Sequence, residues 1–535
     1  MKRRSFVKSV AGALVLPTSE INRAPSPSQG AQQPSGAGPR ILVPSLPNAI
    51  PLSEVVLFAF DNRAFPFQNH VRTHLFSSRN GRPVLRPGPE GSHDEVLLYY
   101  GTTLRIGDTF HLWYNGNYGP FANHIGYERE NCVICYATSR DGVNWEKPDL
   151  GLVEFKGSKK NNIVDLNEPA LWSTCCVVHD PDDPNPKRRF KMAYEAGLPK
   201  GLGKLCVAFS PDGLRWTPYQ GNPVGPMFEM SGITKYQGLY LLNGQDALTR
   251  AHHPVRARRL VTFASADFEH WSSCGALSLD RGPDVSGPST DDDANEYEEV
   301  HLGAGLWNRG NVVLGLYGQW HGNFTGDRRL VGIDIGLALS HDAIHFYEPI
   351  PNYRIIPARE QRDTPYGIVP ALEQGQGMEN FGDQTLHWYG TWRSVDGFFP
   401  HEPGVSEGAV RRGGVRLCTW ERDRLGMLKP FEPSEPEIIS CPIRVTDGRA
   451  KIYINASGLG EHSRLRVGLL NHGFRPIDGF GGADAVVIAK NGFREPTVWR
   501  GGDSIEPRYG TVRIHVRFEG VRPEDARLHA VYVAG

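Results

Sequence analysis

A short string recurs four times along this 535-residue chain, each time at the end of an apolar stretch. The copies are CYATSRDGVNW (135–145), CVAFSPDGLRW (206–216), TFASADFEHW (262–271) and GLALSHDAIHF (336–346). Each reads Ser-x-Asp-x-x-x-aromatic, and the serines of successive copies are 71, 55 and 75 residues apart. A repeat at such intervals indicates an array of similar structural units.

Another apolar segment precedes each copy and has the pattern of the second strand of a hairpin. These segments are TFHLWYNGN (109–117), RFKMAYEAG (189–197), GLYLLNGQD (238–246) and NVVLGLYGQWHG (311–322). A fifth unit, QTLHWYGTW (384–392) followed by VRLCTWERD (415–423), lacks the Ser-x-Asp turn. Five units of four strands each predict an all-β fold, a five-bladed β-propeller.

The repeated string holds a carboxylate and a hydroxyl, yet its position predicts a structural role rather than a catalytic one. It joins the third and fourth strands of a unit, where Asp and Ser can bond the turn backbone and the aromatic ring can pack between units. That turn lies on the face opposite the usual active site of a propeller. The same reasoning assigns 179–184 (HDPDDP) to the first turn of the second unit.

Longer segments carry a resemblance to a known group of enzymes. They are YATSRDGVNWEKPDLGL, HLGAGLWNRGNVVLGLYGQWHG, IGLALSHDAIHFYEPIP and QGQGMENFGDQTLHWYG. Over residues 50–535 the chain resembles the five-bladed propeller glycosidases of glycoside hydrolase families 32, 43, 68 and 130. In particular it resembles uncharacterised bacterial proteins described as family 32 amino-terminal domain-like. The resemblance implies a fold that acts on glycosides.

Two motifs of the invertases in that group are absent, which weakens any inference of fructoside specificity. The string Trp-Met-Asn-Asp-Pro-Asn-Gly is missing, and its nearest analogue is FAFDNRAF (58–65). The Glu-Cys motif that carries the acid is missing too.

Composition supports a carbohydrate partner. The 58 basic and 59 acidic residues leave a net charge of −1, which argues against a nucleic-acid partner and against binding to an anionic membrane surface. The 61 glycines and 41 prolines are typical of a turn-rich β protein, and the 11 tryptophans and 19 tyrosines suit stacking on sugar rings. We expect no nucleic acid and no membrane insertion, and the oligomeric state stays open.

The two ends of the chain differ from its middle. Residues 2–8 (KRRSFVK) resemble a twin-arginine export signal, with a basic disordered tail as the alternative, and 22–39 are a low-complexity linker. We therefore expect a periplasmic or extracellular protein, with the signal and linker in 1–44 and the propeller in 45–430. Period-two alternation and glycine turns in 431–535 predict a β-sandwich that binds carbohydrate or braces the propeller.

No cofactor is indicated. Cys132 and Cys135 form an isolated Cys-x-x-Cys pair without the second pair of a zinc ribbon, so most of the eight cysteines should be buried core residues. A disulfide is the less favoured alternative. Residues 291–293 (DDD) lack the following glycine and the ligand spacing of a calcium loop, so we expect a solvated loop, although bound calcium stays possible.

Glycoside hydrolysis needs two carboxyl groups, roughly 5–5.5 Å apart for retention or 6.5–9.5 Å for inversion of configuration. We expect them where the inner strands of the propeller begin, on the face with the longer connections. The candidates are Asp61, Glu229, Glu298 or its neighbour Glu299, and Glu379. Glu298 and Glu299 face opposite ways, so one of them can point into the central funnel.

Roles follow from the neighbours of each candidate. Glycines on either side of Gln376 suggest a tight, desolvated approach at Glu379, whose raised pKa would suit a general acid. Asp61, beside Asn62 and Arg63, should stay ionised as base or nucleophile. The candidate substrate-binding residues are Asn115, Trp320, His321, Trp392 and Arg393.

The sequence as a whole predicts an exported glycoside hydrolase that cleaves oligosaccharides or glycosides with a carboxylate pair in the propeller funnel. One alternative is a propeller that binds carbohydrate without catalysis. Another is a glycoside phosphorylase, in which Arg63 and Arg393 would contribute to a phosphate pocket.

Overall fold

The computed structural model describes residues 38–46, 50–78, 81–118, 131–167, 170–196, 204–226, 229–245, 258–281, 298–321, 332–358, 371–393 and 414–535. For residues 170–173, 196, 298, 392 and 393 it describes the backbone. The export signal, most of the linker and the acidic run 291–293 lie outside these ranges. Within them no α-helix occurs, and short 3-10 turns such as Pro186–Arg188 are the only helical segments, so the predicted all-β class is confirmed. The described residues include no helix with the length and hydropathy to cross a bilayer.

Five short strands come first along the chain. They are β1 (Arg40–Leu42), β2 (Glu54–Phe58), β3 (Phe67–Asn69), β4 (Val71–Leu75) and β5 (Arg82–Leu85).

Antiparallel sets of four strands follow, one set for each unit of the sequence repeat. The first set contains β6 (Val96–Ile106), β7 (Thr109–Asn117), β8 (Cys132–Ser139) and β9 (Trp145–Glu146). The second set contains β10 (Ala170–His179), β11 (Phe190–Ala196), β12 (Leu205–Ser210) and β13 (Thr217–Pro218). The third set contains β14 (Glu229–Tyr236), β15 (Leu239–Gln245), β16 (Leu260–Ser265) and β17 (Ala276–Leu279).

Two further sets complete the series. The fourth contains β18 (Glu298–Asn308), β19 (Val313–His321), β20 (Gly332–Ser340) and β21 (Arg354–Ile356). The fifth contains β22 (Ala371–Phe381), β23 (Gln384–Arg393) and β24 (Val415–Glu421), and β5 pairs with β24 as its fourth strand. An early segment of the chain thus completes the last set.

The first strands of the five sets form a ring. Each packs against the first strand of the next set, and β22 of the fifth set packs against β6 of the first. A parallel bridge between Gln376 and Thr102 closes the ring. We call the end where the first strands begin the start end, and the end that carries the Ser-x-Asp turns the turn end.

Adjacent sets share apolar cores because both faces of each sheet are covered. All six residues of β12 and all nine of β20 are buried. Between the first and second sets, Trp113 packs with Val177 and Tyr194 in one cluster. Strands buried on both faces carry continuous apolar runs, and this explains the strength of the apolar signal ahead of each repeated turn.

Nine further described strands follow the fifth set, and together with β1 to β4 they form two sheets. The nine are β25 (Gly426–Pro430), β26 (Glu437–Ile439), β27 (Ile443–Asp447), β28 (Lys451–Ser457), β29 (Arg464–Asn471), β30 (Val486–Ile488), β31 (Gly492–Pro496), β32 (Thr511–Glu519) and β33 (Arg527–Ala534). One sheet has seven strands and the other six. A single hydrophobic cluster includes residues of both, such as Val467 and Ile514 from the first and Ile454 and Val531 from the second.

Strand pairing does not follow the predicted division at residue 45. Strands β1 and β3 belong to the seven-stranded sheet, and β2 and β4 to the six-stranded sheet. Strand β2 pairs with β33 along its whole length, from Glu54 opposite Ala534 to Phe58 opposite Ala530. The domain boundaries stay a prediction, but the C-terminal sheets are built from both ends of the described chain.

Asp423 ties the fourth and fifth sets to the C-terminal sheets at the turn end. It is fully buried and pairs with Arg309, while Asn380 donates to its Oδ1 at 2.9 Å and the Tyr532 hydroxyl to its Oδ2 at 2.7 Å. The fifth set lacks the Ser-x-Asp turn. Asp423, just after its third strand β24, takes the corresponding position.

Seven of the eight cysteines are buried, and Cys274 is exposed. This confirms the prediction that most cysteines are core residues. Burial raises the pKa of thiols such as Cys175, so these groups stay protonated and inert at neutral pH.

Candidate functional site

The repeated Ser-x-Asp turns bond their own backbone. Asp141 Oδ1 accepts from the amides of Val143 and Asn144, both at 2.8 Å, and from Ser139 Oγ at 3.0 Å. Burial opposes ionisation, but these bonds hold the pKa of Asp141 at about 2. The other copies, at Asp212, Asp267 and Asp342, show the same pattern. The structural interpretation of the repeat is confirmed.

Asp61 lies at the turn end, against the fourth copy of the turn. It is 1% exposed and accepts from His341 Nε2 at 2.9 Å, from the Tyr347 hydroxyl at 2.5 Å and from the Arg63 amide at 2.8 Å. Burial would raise the pKa of Asp61, but the bonds from His341, Tyr347 and Arg63 outweigh it and lower the pKa. Its carboxylate is therefore fully engaged in joining the N-terminal segment to the fourth set.

Glu379 also lies at the turn end. It pairs with Leu386, close to the hairpin turn at Gly382 and Asp383. Burial raises its pKa, against the opposing charges of Arg105 and Arg309. The inner strand of the fifth set begins at Ala371, eight residues before Glu379, so the expectation that Glu379 starts this strand was wrong.

The other predicted residues are at the start end. Glu229 and Glu298 are the first residues of β14 and β18, and Glu298 is opposite His321. Strand β23 ends with Trp392 and Arg393, and Asn115 is fully buried in the second half of β7. The four predicted carboxylates therefore do not converge: Asp61 and Glu379 are at the opposite end of the ring from Glu229 and Glu298.

A glutamate that the sequence analysis did not select lies at the start end. Glu373, on β22, is fully buried, and its Oε2 accepts from the Tyr99 amide at 3.3 Å. Gly390 lies opposite it, and a Cβ there would be 2.4 Å from Glu373 Oε2, so a larger residue would displace this carboxyl group. Burial raises the pKa of Glu373 to about 8, against the bonds from Tyr99 and Tyr100, so the carboxyl is protonated at neutral pH.

A second buried carboxylate lies on the fourth set. Glu299 is 1% exposed, and its Oε2 is 3.5 Å from Nε of Arg258, on the third set. The Arg258 guanidinium lies 4.2 Å from the centre of the Trp320 ring, and Trp320 is directly opposite Glu299 in the hairpin. A nearby guanidinium favours the charged form of a carboxylate, so Glu299 and Glu373 have contrasting environments.

Aromatic rings connect these two carboxyl groups. The His301 ring lies 5.5 Å from Trp320 and 6.3 Å from Tyr100. Tyr100 belongs to the first set and His301 to the fourth, which are not neighbours, so these side chains meet inside the ring. Gln374 extends the same group, since its Nε2 donates to the His301 carbonyl at 2.6 Å.

Buried polar atoms without a hydrogen-bond partner are concentrated at this end. Within the described part of the chain, four of the five sets contribute them: Asn115 Nδ2, both amide atoms of Asn117, Thr174 Oγ1, Asn243 Nδ2, Glu373 Oε1 and Gln374 Oε1. Burying such an atom without a partner costs about 1–3 kcal/mol. The group has the donors and acceptors that a polar, hydroxyl-rich ligand requires.

The middle of the ring is closed below this group. Gln376 Oε1 accepts from the Ile233 amide of the third set, and its carbonyl accepts from the Tyr99 hydroxyl of the first set at 3.1 Å. A Cβ at Gly375 would overlap the Tyr99 ring, and one at Gly377 would lie 3.0 Å from the Tyr99 hydroxyl. These glycines thus make room for Tyr99 rather than for a ligand, and we call the group of buried polar and aromatic side chains at the start end the chamber.

Two of the predicted binding residues are already engaged by protein groups. Trp320 is 1% exposed beneath Arg258 and beside His301, so its ring is not open for stacking on a sugar. His321 Nε2 is 3.0 Å from Asp334 Oδ2, which Arg354 also contacts. Both residues shape the chamber through their neighbours.

The chain has limited similarity to known proteins. No family model matches it. Two proteins described as uncharacterised, from Mycobacterium tuberculosis strains CDC 1551 / Oshkosh and ATCC 25618 / H37Rv, are 29% and 28% identical over 159 and 157 residues. Each match covers 28% of this chain and 45% of the relative, so the chain spans under half the length of these relatives.

Solved structures give matches of low identity. A glycosyl hydrolase from Bacteroides ovatus matches with a TM-score of 0.41 and 15% identity, covering 66% of this chain and 94% of that one. A putative glycoside hydrolase from Parabacteroides distasonis matches with a TM-score of 0.39 and 15% identity, covering 67% and 98%. A structure from the GH130 family, described as mannoside phosphorylases that include hydrolases of β-1,2 mannosidic linkages, matches with a TM-score of 0.39, 15% identity and coverages of 66% and 95%.

Proposed function

We propose that the five four-stranded sets are the blades of a β-propeller, that the two C-terminal sheets form a β-sandwich, and that the protein is a glycoside hydrolase. The ring of first strands, closed between β22 and β6, supports the propeller. The core shared by the seven- and six-stranded sheets supports the sandwich.

One observation carries the proposed activity. At the start end, Glu373, whose pKa burial raises to about 8, and Glu299, beside the Arg258 guanidinium, belong to one group of buried side chains linked by Tyr100, His301 and Trp320. Glycosidases use such a pair, because one group must give a proton to the leaving oxygen while the other acts as an anion. We assign the general acid to Glu373, and the base or nucleophile to Glu299.

Binding follows from the unpartnered polar atoms. Asn115, Asn117, Asn243 and Gln374 each have an amide atom ready to bond a sugar hydroxyl. Amides on opposite sides of a chamber can hold several hydroxyls at once and fix the orientation of a ring. Glu229 and Glu298, also at the start end, are further candidates to contact the substrate.

The substrate class is tested with a panel of aryl glycosides and oligosaccharides, each with and without inorganic phosphate. A hydrolase turns over without phosphate, whereas a phosphorylase requires it. Binding without turnover in either condition would identify a non-catalytic carbohydrate-binding propeller.

Export through the twin-arginine route to the periplasm or the medium remains part of the proposal, on the resemblance of residues 2–8 to such a signal. Replacing Arg3 and Arg4 by lysine should retain the protein in the cytoplasm. Unchanged export of that variant in cell fractions would contradict the assignment.

A further inference from the structure

A cavity of about 500 Å³ lies at the turn end, away from the proposed active site. It is enclosed by the loop before β3, by the Ser-x-Asp turn of the fourth set and by the C-terminal strands. Its lining includes Arg63, Phe67, His341 and Arg513. Cavities of this size accept ligands as large as a monosaccharide or disaccharide.

Arg513 is a cation in this cavity, whose lining also includes the carboxylate of Asp342. Its residue is 9% exposed, its Nη1 donates to the Ser440 carbonyl at 3.0 Å, and its Nε has no hydrogen-bond partner. Its guanidinium lies 4.5 Å from the centre of the Phe474 ring and 5.5 Å from that of Phe67. No carboxylate in the described part of the chain pairs with it. A largely buried charge left in this way is costly, so a bound anion would stabilise it.

Arg63 adds a second positive charge. It is exposed, lies 4.8 Å over the Tyr347 ring and forms no ion pair with any described carboxylate. The neighbouring carboxylates are already used: Asp61 accepts from His341 and Tyr347, and Asp342 accepts from its own turn and from His345. The charge that remains available in the cavity is therefore positive.

The rest of the lining is mainly apolar. It includes Val43, Leu46, Leu57 and Pro442, together with the ring of Phe67, which is 45% exposed. A bare inorganic ion would leave the exposed Phe67 ring uncovered, whereas a molecule with a hydrocarbon or sugar-ring face would cover it.

We propose that this cavity binds a small organic carboxylate, with the carboxylate accepting hydrogen bonds from Arg513 and Arg63 and the body packing against Phe67 and the aliphatic lining. Guanidinium groups suit this role because they bond carboxylates in a bidentate manner. A ligand held there would contact the N-terminal segment, the fourth set and the C-terminal sheets together.

The test uses the full-length protein in calorimetric titrations and thermal unfolding. The probes are glucuronate, benzoate, glucose, and inorganic phosphate and sulfate. Saturable binding and a rise in Tm with glucuronate or benzoate are expected, since a ligand that binds the folded state raises its stability. Glucuronate and benzoate distinguish a sugar acid from an aromatic acid. No response to either, or an equal response to phosphate and sulfate, would overturn the proposal.

Variants locate the site. Arg63→Gln, an exposed change that should leave folding intact, and Arg513→Met should each weaken carboxylate binding at least tenfold. Arg517→Gln, four residues along β32 from Arg513 and outside the cavity, is the matched control and should bind as the wild type does. If Arg513→Met does not fold, Arg63→Gln alone decides. Wild-type affinity in Arg63→Gln, or a tenfold loss in Arg517→Gln, would place the ligand elsewhere and overturn the proposal.

Discussion

Glu373 and Glu379 lie six residues apart on the same strand, yet they belong to opposite ends of the ring. Burial raises the pKa of both. The charges of Arg105 and Arg309 oppose this rise at Glu379, whereas hydrogen bonds from Tyr99 and Tyr100 oppose it at Glu373. At the turn end the carboxylates of the Ser-x-Asp turns accept hydrogen bonds from turn amides, and those of Asp61 and Asp423 bond residues of other strands. At the start end, buried polar groups lack partners, and the proposed site rests on this difference.

The largest expected effect comes from the second carboxylate of the chamber. Glu299→Gln should reduce kcat by about 10³-fold or more on every substrate, activated or not, because the base or nucleophile is needed in each case. The matched control is the adjacent Glu298→Gln. A greater fall in kcat for Glu298→Gln than for Glu299→Gln would assign the base or nucleophile to Glu298 instead.

At the turn end, Asp61→Asn should act on stability rather than on turnover. It removes the charge that faces His341 and disturbs the bond from Tyr347, so we expect the free energy of unfolding to fall by about 2–4 kcal/mol. Urea unfolding measures this. The pKa of Asp61 is lowered in the folded state, so its contribution is present above pH 3.8 and is lost on further acidification. Loss of activity in well-folded Asp61→Asn protein would contradict the assignment of this end.

The two ends should also differ in how stability depends on pH. Between pH 4.5 and 8 the folded protein keeps a proton on Glu373 that the unfolded chain has lost, so this group makes stability fall as pH rises through that window. Glu373→Gln removes the effect. The Tm of the variant, relative to wild type, should therefore increase from pH 5 to pH 8, and a pH-independent difference would show that Glu373 is not held neutral.

A smaller effect is expected for the repeated turn. Asp141→Ala removes bonds to two backbone amides and should cost about 1–2 kcal/mol of unfolding free energy, with turnover per folded molecule retained. Asp212→Ala, the same position of the second copy, should behave alike. A marked fall in activity of either folded variant would assign chemistry to the turn end.

The repeat made much of the architecture predictable. Four Ser-x-Asp copies and five second strands located all five sets and placed the turns correctly, because buried strands and turn carboxylates leave strong local patterns. What the sequence did not reveal is that β1 to β4 pair with the C-terminal strands, since such pairings depend on contacts hundreds of residues apart, as between Glu54 and Ala534.

The candidate site was only partly predictable. Glu229 and the Glu298–Glu299 pair begin inner strands, as expected, and therefore lie at the same end of the ring as Glu373. Glu373 was not selected because the inner strand of the fifth set was expected to begin at Glu379. Counting back from the hairpin turn at Gly382 would have shown that an eleven-residue strand begins at Ala371. The approach of Tyr100 and His301 across the ring has no local sequence signal.

The most direct test of the account is a comparison of Glu373→Gln with Glu379→Gln on substrates that differ in leaving group. Glu373→Gln should lose about 10²–10⁴-fold in kcat on glycosides with poor leaving groups and much less on activated aryl glycosides, which need little protonation. Glu379→Gln should stay within a few-fold of wild type on both. Near-normal activity of Glu373→Gln on poor leaving groups, or a selective loss in Glu379→Gln, would contradict the placement of the catalytic acid at the start end.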